Sequence, residues 1–147
     1  MFVGDTTGVY YPDMAVEEFD VILPSTSPNQ FDPNLMEDSI QLFEKIKPDV
    51  LYFGHYGSYH HPEFAYAEVR RFLPIFVDAG RQAMQEETDF TKQVHRTEEI
   101  LTNFIFAEIQ TKGLSKDHPV FKVIPLDIAV SSMGIVDYLS KSISKQS

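Results

Sequence analysis

The sequence predicts an α/β (α+β) chain in which strands and one helix fill residues 1–61 and helices fill 62–147. Three observations carry this. "MFV", "FDVIL" and "VLYF" are short apolar runs bounded by loop-forming residues, the pattern of buried strands. Between the second and third lies a stretch with apolar residues at helical spacing. Past Pro62 the apolar residues recur at helical spacing almost throughout. The order strand, loop, strand, helix, strand, loop is that of an α/β unit.

Each element has its own local reason. Met1–Val3 is an apolar strand, and Asp5–Pro12, rich in Thr, Gly and Tyr, is the loop after it. Phe19–Leu23 is the next strand. Residues 24–34 hold Pro24, Pro28 and Pro33 among Ser and Asn, and so read as a loop. Asp32 caps the following helix and Pro33 takes its first position. Phe31 and Met36 stand where a hydrophobic staple closes the first turn. Met36, Ile40, Phe43 and Ile46, with Leu35 and Leu42 beside them, form its apolar stripe. Pro48 ends it, and Val50–Phe53 is a buried strand running into Gly54-His55-Tyr56-Gly57. Residues 63–87 read as a helix that Pro74 kinks or interrupts and Gly80 weakens. Asp89 caps a helix over 90–112 with Val94, Leu101, Phe104, Ile105 and Ile109 on its apolar side, and Gly113 ends it. Pro119–Pro125 reads as an extended connector. A last helix over 126–143 carries Ala129, Val130, Met133, Val136 and Leu139.

Composition narrows the function classes. Apolar residues make up 43% of the 147, enough for a core. The chain has no cysteine, which excludes disulfides, a thiolate nucleophile and sulfur-ligated metal, and fits an expected cytoplasmic location. Twenty-two acidic against 12 basic residues give a net charge of −10, which repels phosphate backbones; no nucleic-acid partner is expected. No apolar run approaches the roughly 20 residues that span a bilayer, so no membrane partner is expected either.

Two loops share one design: an apolar strand, a Gly, then a side chain able to bind metal. These are Phe-Val-Gly-Asp5 and Tyr-Phe-Gly-His55. Sites in α/β folds gather where strands end in loops. Carboxylate oxygen and imidazole nitrogen both suit zinc, manganese or iron. Taken singly the residues have plainer readings. An Asp in such a turn commonly bonds the turn backbone, and a lone His after a strand is commonly structural.

"FVGDTTGVYYPD" followed by "PSTSPNQFDPNLMEDSIQLFEKIKPDVLYFGHYG" resembles the C-terminal half of a metallo-β-lactamase-fold metallohydrolase. The resemblance covers residues 1–60. It implies the second half of an αββα sandwich, with the helical region 62–147 as an extension and a candidate dimerisation element. It also implies that Asp5 bridges two metal ions and that His55 is the last His ligand. The implied cofactor is a divalent metal, zinc foremost, with manganese or iron as alternatives. The family's His-x-His-x-Asp-His motif is not among the five histidines His55, His60, His61, His95 and His118. The chain therefore reads as a fragment that is metal-free and inactive alone. Its expected partners are the N-terminal half of the fold and further copies of itself. The implied parent acts on a small-molecule ester, thioester, lactone or similar substrate.

Tyr10, Tyr56, Tyr59, His60 and His61 are candidate pocket residues, since phenols offer both apolar area and a hydrogen bond. Burial against the helical region accounts equally for the tyrosines, and a solvated loop for the histidines. The contrasting functional reading is a non-catalytic helical interaction module that keeps Asp5 and His55 as relics.

Overall fold

The computed structural model describes residues 1–12, 20–55 and 57–144. Its class is mixed α+β. In chain order the elements are β1 (Phe2–Gly4), β2 (Val9–Tyr10), β3 (Ile22–Leu23), α1 (Pro33–Ile46), β4 (Leu51–Phe53), β5 (Ser58–Tyr59), α2 (Pro62–Glu86), α3 (Phe90–Thr111) and α4 (Val120–Ser144). Strands β1, β4 and β5 form one sheet in that order, with β1 parallel and β5 antiparallel to β4. Strands β2 and β3 pair antiparallel, Val9 opposite Leu23 and Tyr10 opposite Ile22. β2 and β5 fall in stretches that read as loop, because two residues are too few to show an alternation. The expected strand Phe19–Leu23 begins outside the described residues.

Packing divides the chain into two compact units. One comprises Met1–Ser25 with Asp32–Pro74, the other Thr26–Phe31 with Ile75–Ser147. The division falls at Pro74, inside α2, where the ring withholds one backbone N–H from the helix ladder. The change of character that the sequence places at 61/62 coincides with the first residue of α2.

In the first unit, helix α1 starts as its sequence requires. The Asp32 carboxylate accepts from the Asn34 and Leu35 amides at 2.9 and 3.3 Å, satisfying two of the first-turn donors. Lys47 ends the helix in the left-handed region, at φ 52°. Its stripe is narrower than the sequence suggests. Met36 and Ile40 are buried, whereas Leu35, Leu42 and Ile46 are more than half exposed. Arg70 on α2 ties α1 down from the side. Its guanidinium donates to Glu37 through Nε and Nη2 (2.9 and 2.8 Å) and to Glu44 through Nη1 and Nη2 (2.5 and 3.0 Å). Val3, Ile22, Leu51 and Val69 are buried in this unit, each worth about 1.5–3 kcal/mol over the exposed state.

In the second unit α3 and α4 pack together. Asp89 caps α3, accepting from the Lys92 amide at 3.1 Å. The buried stripe of α3 runs in steps of four: Gln93, Thr97, Leu101, Ile105, Ile109. Its polar members are bonded locally, Gln93 Nε2 to the Glu87 carbonyl and Thr97 Oγ1 to the Gln93 carbonyl, both at 2.8 Å. A purely apolar count therefore selects Val94 and Phe104, which are only half-buried.

The expected extended connector from Pro119 to Pro125 is instead helical from Val120 onward, with Pro125 inside α4. Val120, Ile124 and Ile128 form a buried i, i+4 stripe, and their burial outweighs one lost helix bond at Pro125. The His118 imidazole accepts from the Val120 amide at 3.3 Å and closes the first turn. Ile135, Val136 and Leu139 continue the buried face, while Val130 and Met133, expected on it, are 38% and 41% exposed. Segment 26–31 lies against this helix. Thr26 Oγ1 donates to the Ser131 carbonyl at 2.8 Å, and a Cβ on Gly134 would stand 1.7 Å from the Thr26 carbonyl oxygen. Among the described residues no helix is long and apolar enough to cross a membrane.

Candidate functional site

Parallel pairing of β1 with β4 decides where the turns Gly4-Asp5 and Gly54-His55 fall. Phe2 stands opposite Tyr52 and Gly4 opposite Phe53, so both strands run out at the same end of the sheet. The ladder continues past them: the Tyr52 amide donates to the Met1 carbonyl at 2.8 Å and the Gly54 amide to the Gly4 carbonyl at 2.9 Å. Asp5 and His55 each follow directly. His55 Nε2 lies 3.7 Å from Asp5 Oδ1. Both side chains are accessible, the imidazole 60% and the carboxylate 39% exposed.

The two glycines serve different ends. Gly4 takes φ +56°, a left-handed conformation that lets the chain leave β1 and turn. Gly54 makes room for its neighbour: a Cβ there would stand 2.5 Å from Asp5 Oδ1. The turn after Asp5 closes through the Gly8 amide on the Asp5 carbonyl at 3.0 Å. Within it, Thr7 is fully buried and its hydroxyl has no hydrogen-bond partner among the described residues. Nothing in the residues around Thr7 marks it out before the turn is seen folded.

A separation of 3.7 Å is long for a direct hydrogen bond. It suits two donor atoms that share one ion, each roughly 2.0–2.2 Å from it. The donor types are also right, an anionic oxygen and an imidazole nitrogen. Two donors do not complete a four-coordinate site, and among the described residues no group of three or more His, Asp or Glu side chains is placed to hold a metal.

The pocket candidates separate into groups. Tyr10 and Tyr59 are buried, and both phenols converge on Asp20, Tyr59 donating to Oδ2 at 2.7 Å and Tyr10 to Oδ1 at 3.3 Å. Burial first, then the bond to Asp20 and its charge, push the Tyr59 phenol well above its ordinary range. Tyr10 is raised too, by burial and then by the charge of Asp20. Their rings are 4.8 Å apart, and Phe53 and Phe64 extend the aromatic cluster. His61 meets Tyr59 edge-on at 5.7 Å and is exposed, as is His60. Tyr56 lies outside the described residues. Asp20 escaped the sequence reading, although an acid inside an apolar strand was a usable signal, because such a group needs donors nearby.

No protein-family model, curated protein or solved structure matches the chain.

Proposed function

We propose that this chain supplies the C-terminal half of a metallo-β-lactamase-type metallohydrolase, with Asp5 as the carboxylate that bridges two metal ions and His55 as the last imidazole ligand. One observation carries the reading: residues far apart in sequence, each following a Gly at the end of a parallel strand, present Oδ1 and Nε2 3.7 Å apart. The donor set fits zinc, with manganese or iron as alternatives. A metal held there would activate water and polarise the bond to be cleaved in a small ester, thioester or lactone. Gly54 holds the carboxylate position open, and the β1–β4 ladder fixes the spacing of the pair. The other ligands come from an N-terminal half bearing His-x-His-x-Asp-His; with two donors only, this chain alone retains no stoichiometric metal, takes up added metal only fractionally, and is inactive.

The test is complementation. The chain is mixed with such an N-terminal half and zinc, and metal content and turnover of a generic ester are measured. Stoichiometric metal and hydrolysis, both lost in Asp5→Ala and His55→Ala, support the reading. A stable complex that takes up no metal overturns it. The second reading, a helical interaction module with relic ligands, is favoured by the exposed apolar residues of α4.

A further inference from the structure

Helix α4 shows two apolar faces. The first, from Val120 through Leu139, is buried. On the opposite side Val123, Leu126, Val130 and Met133 are 42%, 72%, 38% and 41% exposed. Their spacing of three, four and three residues is that of heptad positions a, d, a, d. Both a positions are β-branched Val and the d positions are Leu and Met. Among parallel coiled coils, β-branched residues at a with Leu at d favour two strands over three or four. In that register Lys122 occupies g and Asp127 the following e, the pair that forms charge-complementary contacts across a parallel in-register dimer. An antiparallel pairing brings g to g and e to e, so it places no Lys122 beside an Asp127. Two equivalent Lys122–Asp127 contacts thus flank the seam in the parallel arrangement alone. Asp137 and Ser140 replace the apolar residues at the next a and d, which ends the seam.

We propose that Val123, Leu126, Val130 and Met133 of α4 form a parallel, in-register homodimer seam, and that its occupant is the same helix of a second copy of this chain. A free peptide with so short a seam would not pair, because helix formation itself is costly. Here α4 is already folded against α3, so that ordering cost is absent from the association.

The test reads oligomeric state and orientation separately. Sedimentation equilibrium of the whole chain, over a concentration series, gives a monomer–dimer equilibrium. Leu126→Glu abolishes it with the helical circular dichroism unchanged. Lys122→Asp weakens the dimer and the double variant Lys122→Asp/Asp127→Lys restores it. Because the chain has no cysteine, Leu126→Cys reports orientation cleanly. A parallel seam places residue 126 against its own mate and gives a disulfide dimer under mild oxidation. A monomeric wild-type chain overturns the proposal. So does a dimer that survives Leu126→Glu, or one whose Leu126→Cys form does not crosslink.

Discussion

Asp5 and His55 are ordinary residues made notable by the glycine before each. Gly54 is the more informative of the two glycines, since its missing Cβ leaves space that the Asp5 carboxylate fills. Gly54→Ala therefore displaces Asp5 or distorts the end of β4. A stability loss of about 1–3 kcal/mol in urea titration is expected, the usual cost of forcing an atom into filled space. Ser at the same position should behave alike, while Gly57→Ala, where a Cβ meets no atom within 4 Å, tests backbone strain alone, at φ +109°. The sequence drew attention to the Asp5–His55 pair because each glycine and the metal-capable residue after it are adjacent along the chain. Asp20 and Thr7 stayed hidden because their circumstances are tertiary: two phenols arrive from β2 and β5 for one, and burial in a turn defines the other.

Elements announced by caps were legible, and those decided by packing were not. Asp32-Pro33 and Asp89 mark the starts of α1 and α3 correctly, because capping is a local interaction. Pro119 and Pro125 misled, since two prolines suggest extended chain while the stripe Val120, Ile124, Ile128 rewards a helix. Pro125 sits past the first turn, where its ring costs a backbone bond. Pro125→Ala should thus stabilise α4, by up to about 3 kcal/mol, read as a higher thermal midpoint. The fork of Arg70 over α1 is a second element-scale feature. Hydrogen bonds from Arg70 hold the Glu37 and Glu44 carboxyls below the usual range. Carboxyls lowered on folding stabilise the native state above their unfolded value, about 4.3, and lose that contribution as pH falls through the folded values. Stability should therefore decline on acidification below about pH 5, and Arg70→Ala should make that decline shallower. The pair is partly exposed, so the effect is small and diminishes with salt.

For the whole molecule, the mixed α and β class was legible from short apolar runs and helical period, and the sheet order was not. Parallel pairing of β1 with β4 joins strands separated by β2, β3 and α1, and short apolar strands carry no signal of their neighbour. That pairing is nevertheless what brings Asp5 and His55, two loop residues, to 3.7 Å from each other. The most direct test is nuclear magnetic resonance of the isolated chain titrated with Mn²⁺. Paramagnetic broadening registers fractional occupancy, so an incomplete site is still visible. The account predicts broadening centred on Asp5 and His55 together, lost in Asp5→Asn and in His55→Ala alike. Broadening centred on His60 and His61, or unchanged by both substitutions, would contradict it.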